Sequence, residues 1–182
     1  MTKNQAPPAE EVRRVLVEAG AVRFGEFTLT SGRKSDVYID VKKAWTEPAR
    51  LDLIARALAA RVAPGEQGLA GMELGAVPLV VATSLRVGLP MIVIRKAAKE
   101  HGTRQRFEGE IPPGARVLLI EDTATTGGSL VQSIEILRAA GALVDRALVV
   151  VDREEGARER LAELGVHLEA LTTLSELRGA PA

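Results

Sequence analysis

The first part of the chain carries the spacing of amphipathic helices and of a hairpin. Apolar residues recur three to four positions apart over 9–19 and again over 48–62, which predicts a helix in each range. Between them, residues 24–30 and 37–41 alternate in the manner of half-buried strands, on either side of the turn-forming segment 31–35. The pattern therefore predicts a helix, a hairpin and a second helix.

After residue 68, short runs of continuous apolar residues alternate with helical segments. Strands are predicted at 69–72, 91–94, 116–120, 143–151 and 166–171, and helices at 75–87, 128–140 and 156–164. Strands that are apolar at every position are typical of a parallel sheet covered by helices on both faces, so the chain is placed in the α/β class. Ligands of such sheets lie at the carboxyl ends of the strands, and we expect chemistry just after Met72, Ile94, Ile120 and Val151.

One segment, 97–113, fits no helix or strand pattern. It is polar, it contains glycine and proline, and it is about 17 residues long. Loops of this length are uncommon in compact domains and often act as active-site lids. We expect a long flexible loop beside the site.

Composition and charge exclude several classes of protein. The chain has 24 Lys and Arg against 24 Asp and Glu, and aromatic residues make up 3%, which argues against a general nucleic-acid binder. The absence of cysteine excludes disulfides and thiolate metal sites and agrees with a reducing compartment. The apolar stretch 76–94 is interrupted by Arg86 and two prolines, so no membrane span is expected. The prediction is one cytoplasmic domain, 1–182.

The most informative motif is 117–129, in which a buried strand is followed by Glu121-Asp122 and then by hydroxyl and glycine residues that open a helix. Free amides at a helix N-terminus suit a phosphate, and nearby carboxylates suit sugar hydroxyls, so a ribose 5-phosphate fits both halves. Neither a Walker loop nor a dinucleotide fingerprint is present. The alternative is a capped helix with two solvated acids, but adjacent acids at a strand end are costly unless a cation or hydroxyl meets them.

This segment closely resembles the 5-phosphoribosyl 1-diphosphate (PRPP) signature of type I phosphoribosyltransferases. The resemblance implies that Glu121 and Asp122 are catalytic and hold the ribose hydroxyls. It also implies a loop that wraps the 5-phosphate, made of Thr123, Ala124, Thr125, Thr126, Gly127, Gly128 and Ser129. The implied cofactor is Mg²⁺, which the diphosphate and ribose oxygens of PRPP hold in the main, with no direct protein ligand.

Three further segments resemble motifs of the orotate phosphoribosyltransferases and occur in that family's order. They lie within 27–40, 95–102 and 151–156. The resemblance covers nearly the whole chain. It implies a type I phosphoribosyltransferase-like parallel sheet flanked by helices, with a small N-terminal hood at about 1–45 and a core at about 46–178. The implied reaction joins the phosphoribosyl group of PRPP to N1 of orotate, giving orotidine 5′-monophosphate and pyrophosphate in pyrimidine biosynthesis.

The implied orotate-binding residues are Arg153, Thr125, Phe27 and Ser31. An arginine offers a planar fork that can bind a carboxylate through two parallel hydrogen bonds, and Arg153 is predicted at the same sheet edge as the acidic pair. The alternative for Arg153 is a surface salt bridge with Glu154 or Glu155. For Phe27 the alternative is packing in the core.

The segment 95–106 concentrates positive charge. Its five cations are Arg95, Lys96, Lys99, Arg104 and Arg106. Cations aimed at a leaving pyrophosphate stabilise the transition state, and a closing loop excludes water. The resemblance assigns Arg95, Lys96, Lys99 and His101 to PRPP and makes Lys99 catalytic. It also implies a homodimer whose active sites are shared through the 95–109 loop. The alternatives are a solvated charge run and a nucleic-acid patch.

Glu73, Leu74 and Gly75 are expected to form the tight loop that binds the diphosphate of PRPP. The chain departs here from the family pattern, because many members carry lysine where Gly75 and Thr30 stand. The rival functions are a purine or uracil phosphoribosyltransferase and a nucleic-acid-binding regulator that keeps the same fold.

Overall fold

The computed structural model describes residues 6–28, 34–97 and 105–179. The helices are α1 (Ala9–Glu18), α2 (Lys42–Trp45), α3 (Pro48–Ala59), α4 (Val77–Val87), α5 (Gly128–Ala139), α6 (Ala157–Ala162) and α7 (Leu174–Arg178). The strands are β1 (Val22–Thr28), β2 (Lys34–Ile39), β3 (Gly68–Met72), β4 (Met91–Ile94), β5 (Phe107–Glu108), β6 (Val117–Ala124), β7 (Arg146–Asp152) and β8 (His167–Thr173).

The core is a six-stranded sheet in the order β5-β4-β3-β6-β7-β8. The five strands β3, β4, β6, β7 and β8 run parallel, which confirms the predicted α/β class. The sheet departs from the parallel sense at one edge, where Phe107 of β5 pairs with Ile94 of β4 in the antiparallel sense. This strand lies inside the segment expected to have no element, and its two residues are too few to show a period of two.

The acidic pair lies within β6 rather than after it. The strand extends past Ile120 to Ala124, and Glu121 is in register with Val149 of β7. The apolar run ends at Ile120, so the apolar pattern did not show that the strand continues through the polar residues Glu121 and Asp122. Helices α2 and α7 were also missed, since helices of four and five residues are too short for a periodic signal.

The apolar core is divided by the sheet into two clusters, one on each face. Leu118 and Ile120 of β6 belong to the cluster that includes Ile54 of α3. Leu119, which points the opposite way, belongs to the cluster that includes Ile134 of α5. Helices therefore cover both faces, as the continuously apolar strands predicted.

The hood consists of α1, the antiparallel β1–β2 hairpin and α2, and it meets the C-terminal helix. Arg178 of α7 pairs with Asp36 of β2 at 2.6 Å and places its guanidinium 5.9 Å from the ring centre of Phe24. Within the described ranges, no helix is both long and apolar enough to cross a membrane.

Candidate functional site

The acidic pair lies at the carboxyl end of β6, in the middle of the sheet. Glu121 is 6% exposed and Asp122 is partly buried. The Asp122 backbone N–H donates to Oε1 of Glu121 at 3.1 Å. The alternative of two solvated acids is therefore wrong, because the fold removes both carboxyl groups from bulk water.

Burial and mutual repulsion change how this pair ionises. Burial, followed by the neighbouring charge of Asp122, raises the pKa of Glu121 to about 8. Burial also raises the pKa of Asp122, although the positive charge of Lys42 opposes that change. Burial of the pair is therefore only partly compensated by the positive charges of Lys42 and Lys96.

The loop after β6 has the geometry of a phosphate cradle. Gly127 adopts φ 77°, in the left-handed region, and starts α5 at Gly128. A Cβ at Gly127 would lie 3.2 Å from Leu161, so glycine also allows a close approach to α6. Thr126, Gly128 and Ser129 are exposed at this helix start, where amide N–H groups are free to meet an anion.

The loop after β3 lies directly against the acidic pair. Its Glu73–Leu74 peptide bond is cis. A Cβ built on Gly75 would lie 2.4 Å from Oδ2 of Asp122. Glycine at position 75 lets the loop lie this close to Asp122, and a side chain there would require the loop or the carboxylate to shift.

The loop after β3 is also bonded to the base of the cationic segment. The carboxylate of Glu73 accepts a hydrogen bond from the Lys96 backbone N–H at 2.9 Å. Arg106 donates to the Lys96 carbonyl at 2.6 Å, and Arg95 pairs with Glu108 at 3.0 Å. The charge of Lys96 also acts on Glu121 and opposes the rise of its pKa. The start of the segment is therefore held beside the acidic pair, whereas Lys99, His101 and Arg104 lie outside the described residues.

Arg153 directly follows β7, which neighbours β6 on the side opposite β3. It is 9% exposed, and its backbone N–H donates to the Ala124 carbonyl at 2.9 Å, next to Thr125. Its guanidinium pairs with Glu155 at 2.7 Å. The alternative interpretation of a salt bridge with Glu155 thus describes a real contact, but the pair is largely buried rather than on the surface.

The turn that carries Arg153 is held by two acids. Asp152 is buried and accepts hydrogen bonds from the Glu154 backbone N–H at 2.9 Å and from Nε of Arg158 at 2.7 Å. Glu154 has φ 58°, an unusual value for a residue with a side chain, and its carboxylate accepts from the Ser175 N–H and hydroxyl at 2.8 and 2.6 Å. The sequence suggested Glu154 only as a possible salt-bridge partner of Arg153, and it did not reveal the supporting role of either acid.

The hood contributes a separate aromatic and cationic cluster. The rings of Phe27 and Tyr38 have centroids 5.7 Å apart, and Arg23 lies 5.6 and 5.3 Å from them. Phe27 packs against these two residues and not within either apolar cluster. Ser31, the other hood residue assigned to orotate, lies outside the described residues.

Three loops therefore meet at the carboxyl edge of the sheet, those after β3, β6 and β7. They bring together the residues assigned to the diphosphate, the ribose phosphate and the orotate carboxylate. The sequence-based interpretation missed Lys42, whose charge acts on Asp122 from the hood. The only local signal for it is its place two residues after Asp40 in the hood motif.

Comparison with known proteins identifies the family. The sequence pattern of the phosphoribosyl transferase domain matches residues 45–165. The orotate phosphoribosyltransferase of Methanosarcina acetivorans is 48% identical over 169 residues, covering 92% of this chain and 90% of that protein.

Comparison with solved structures also identifies orotate phosphoribosyltransferases as similar proteins. The crystal structure of orotate phosphoribosyltransferase from Aeropyrum pernix matches with a TM-score of 0.82 and 38% identity, over 92% of this chain and 96% of that one. The structure of Leishmania donovani UMP synthase matches with a TM-score of 0.83 and 36% identity, over 96% of this chain and 38% of that one. The chain belongs to the phosphoribosyl transferase domain family and, within it, to the orotate phosphoribosyltransferases, which are pentosyltransferase enzymes.

Proposed function

We propose, for this member of the orotate phosphoribosyltransferases, that the carboxyl edge of the sheet transfers the 5-phosphoribosyl group of PRPP to N1 of orotate. The products are orotidine 5′-monophosphate and pyrophosphate, and the reaction belongs to pyrimidine biosynthesis. The observation that carries the proposal is the placement of the acidic pair between the loop after β3, whose Gly75 lies against Asp122, and the buried Arg153.

The donor occupies the loops after β3 and β6. Its 5-phosphate lies at the start of α5, within 123–129, and its ribose hydroxyls meet Glu121 and Asp122. The diphosphate lies at 73–75, near Arg95 and Lys96. Lys99 and His101 would reach it from the 95–109 loop. Support comes from the hydrogen bond between Glu73 and Lys96, which keeps the diphosphate loop and the base of the cationic segment together.

Mg²⁺ is the proposed cofactor, held in the main by diphosphate and ribose oxygens of PRPP. The residues present fit such a donor, because the carboxyl groups of Glu121 and Asp122 lie together at the carboxyl end of β6, against the loop proposed to hold the diphosphate. When bound, Mg²⁺ neutralises part of the leaving group's charge.

Orotate is recognised by Arg153, with Thr125, Phe27 and Ser31 around the ring. Among the described residues, Nε of Arg153 is buried and has no hydrogen-bond partner. A planar carboxylate satisfies this nitrogen and an Nη nitrogen together, as two parallel bonds. An unsatisfied buried donor is costly, so the ligand restores a bond that the free protein lacks.

The transfer needs no strong general base. As the C1–O bond to pyrophosphate breaks, its electron pair leaves with pyrophosphate, and the lone pair of orotate N1 forms the new bond to C1 from the opposite face. The N1 proton of orotate is lost readily. The acidic pair orients the ribose and stabilises positive charge that develops on it.

A homodimer completes the proposal, in which the 95–109 loop carries Lys99 into the neighbouring subunit's site. Three exposed apolar side chains, those of Leu74, Leu85 and Met91, are available for burial between subunits. If sites are shared, mixed dimers of Lys99→Ala and Asp122→Ala subunits regain activity, and mixtures without activity would contradict sharing. A cytoplasmic location stays a prediction from the sequence.

The decisive experiment offers PRPP and Mg²⁺ with orotate, uracil, hypoxanthine or adenine, and measures nucleotide formation. We expect turnover of orotate alone, and turnover of another base in its place would refute the proposal. Arg153→Ala should raise the KM for orotate far more than the KM for PRPP. Arg158→Lys, which keeps the cation beside Asp152, is the matched control, and an equal effect of Arg153→Ala on both substrates contradicts the role of Arg153.

A further inference from the structure

The turn after β7 contains the one non-glycine residue of the described ranges whose φ is positive. Glu154 adopts φ 58°, in the left-handed region that is unfavourable for a residue with a side chain. Such a conformation persists where the surrounding contacts determine it, and it occurs often at binding and active sites. Arg153, the residue proposed to bind the orotate carboxylate, directly precedes Glu154. The contacts of Glu154 therefore bear on where Arg153 is held.

Hydrogen bonds fix the backbone on both sides of Arg153. Its own N–H donates to the Ala124 carbonyl at 2.9 Å, and the Glu154 N–H donates to Oδ1 of the buried Asp152 at 2.9 Å. Oε2 of Glu154 accepts from both the backbone N–H and the hydroxyl of Ser175, at 2.8 and 2.6 Å. Hydrogen bonds to an ionised carboxylate are stronger than those between neutral groups. The turn is thus tied to the start of α7.

Helix α7 is also tied to the hood. Nη2 of Arg178 donates to Asp36 of β2 at 2.6 Å. Asp36 follows Ser35, which is paired with Phe27 across the hairpin. Phe27 is one of the residues assigned to the orotate ring. Helix α7 therefore connects the turn of Arg153 with the hairpin that carries Phe27, so it joins two parts of the proposed orotate site.

The side chain of Arg153 has a separate contact. Its Nη2 pairs with Glu155 at 2.7 Å, while its buried Nε has no hydrogen-bond partner among the described residues. Two parallel hydrogen bonds to a planar carboxylate require a closely defined position of the guanidinium, and a small displacement weakens both. Because a shift of the backbone carries Nε with it, the tie between Glu154 and α7 bears on how well a carboxylate can bind.

We propose that Glu154 is a positioning residue for orotate, which acts through Arg153 and is itself held by Ser175 of α7. The inference rests on the proposed function, because it requires Arg153 to bind the orotate carboxylate. Without the Glu154 carboxylate, the turn loses its tie to α7 and the guanidinium takes up more than one position. The apparent affinity for orotate then falls with the fraction of molecules in which the guanidinium is correctly placed.

The test uses Glu154→Gly, because glycine readily adopts φ 58° and only the carboxylate is lost. We expect the KM for orotate to rise about tenfold, with kcat and the KM for PRPP changed less than about twofold. Ser175→Ala keeps the backbone N–H and removes the hydroxyl, so the KM for orotate should rise about threefold. Glu154→Gln, which retains an oxygen acceptor for Ser175, should recover most of the affinity lost in Glu154→Gly.

Glu47→Gly is the matched control for a merely structural role. Glu47 also accepts hydrogen bonds from two backbone N–H groups at a helix start, those of Ala49 and Arg50 at 3.1 and 3.0 Å. Its loss should lower the melting temperature and leave the KM for both substrates unchanged. If Glu154→Gly behaves in the same way, or raises the KM for orotate and PRPP equally, the positioning role is overturned.

A double-mutant cycle with Arg153→Ala separates this inference from the proposed function. If Glu154 acts through Arg153, Glu154→Gly has no further effect on the KM for orotate in the Arg153→Ala background. Effects that multiply in the double variant overturn the role of Glu154 alone. An unchanged KM for orotate in Arg153→Ala overturns the proposed contact of Arg153 itself, and the inference with it.

Discussion

Acidic side chains lie at both ends of the parallel strands, and the two groups differ in whether a cation pairs with them. At the carboxyl end are Glu121 and Asp122. At the opposite end, Arg146 of β7 donates to Glu66 at 3.1 Å and to Glu169 at 2.6 Å. The Glu66 side chain is 1% exposed, and Arg146 also donates to the carbonyl of Arg61 at 3.0 Å.

The difference concerns the charge partners of Glu66 and of the acidic pair, to which the proposed function assigns the ribose. Burial raises the pKa of Glu66, but the charge and hydrogen bond of Arg146 oppose it. Among the described residues, no salt bridge reaches Glu121 or Asp122, and the pKa of Glu121 rises to about 8. Glu66 is paired with Arg146 in the free protein, whereas the proposed function leaves the partner of the acidic pair to be supplied by the donor. We therefore expect a substitution in the acidic pair to lower activity but not stability, and the loss of Arg146 to lower stability but not activity.

The largest expected effect is the loss of activity in Asp122→Asn. The amide cannot supply a full negative charge to the ribose as positive charge develops on it, so we expect kcat/KM for PRPP to fall by ~10²-fold or more. The melting temperature should not fall, because a poorly compensated buried charge is removed. Asp145→Asn, at the surface pair with Arg116, is the control, and equal loss of activity in both variants would contradict the comparison.

Arg146→Met should instead damage stability. It leaves Glu66 and Glu169 without their cation, and breaking a buried ion pair on one side costs about 3 kcal/mol of unfolding free energy. Urea unfolding measures this, with kcat expected to stay constant below the transition.

The matched control for Arg146→Met is Arg116→Met. Arg116 and its partner Asp145 are each 44% exposed, so the cost should stay below about 1 kcal/mol. Equal losses of unfolding free energy in the two variants would contradict a larger contribution to stability from the Arg146 network.

Gly75→Ala tests the close approach of the loop after β3 to Asp122. Its Cβ would lie 2.4 Å from Oδ2 of Asp122, so the loop or the carboxylate must move. Such overpacking costs about 1–3 kcal/mol, and a displaced Asp122 should lower kcat/KM for PRPP about tenfold. Gly65→Ala is the control, since its Cβ would meet only Arg116 at 4.0 Å. Equal kinetics in the two variants would show that the approach of Gly75 does not matter.

The smallest effect concerns the pH dependence of stability in Glu121→Gln. The pKa of Glu121 is raised from its ordinary 4.5 to about 8 in the folded state, so the folded protein binds the extra proton between those values. The unsubstituted protein therefore loses stability as pH rises through that window, while the Gln variant does not. The melting temperature of Glu121→Gln should exceed that of the parent by a few degrees above pH 8 and by little near pH 4.5. A difference that shrinks with rising pH would contradict the raised pKa.

Much of the fold was predictable because its signals are local. Continuous apolar runs identified β3, β4, β6 and β7 as buried parallel strands, since a strand covered on both faces has no polar side. The two-residue β5 and the short α2 and α7 were not predictable, because they contain less than two periods of any pattern. The end of β6 was misplaced, because the strand continues into polar residues.

The site was predictable to the level of its loops. The acids, threonines and glycines of 121–129 are adjacent in sequence, so their chemistry could be recognised together. Lys42 could not be found in this way, because it lies about eighty residues from Asp122 along the chain and only the docking of the hood brings them near. The support of Arg153 by Glu154 and Ser175 was hidden for the same reason.

The sequence by itself determined the α/β class, the family and the chemical types present at the sheet edge. These follow from periodicity and from contiguous motifs, which need no knowledge of distant contacts. The tertiary structure alone decided that the backbone at position 75 lies against Asp122 and that Arg153 is buried with an unsatisfied nitrogen. It also decided that Glu66 is paired with Arg146, whereas no arginine within the described ranges pairs with Glu121 or Asp122. The physical reason is that burial and charge pairing depend on which loops meet in space, and those loops come from separate strands.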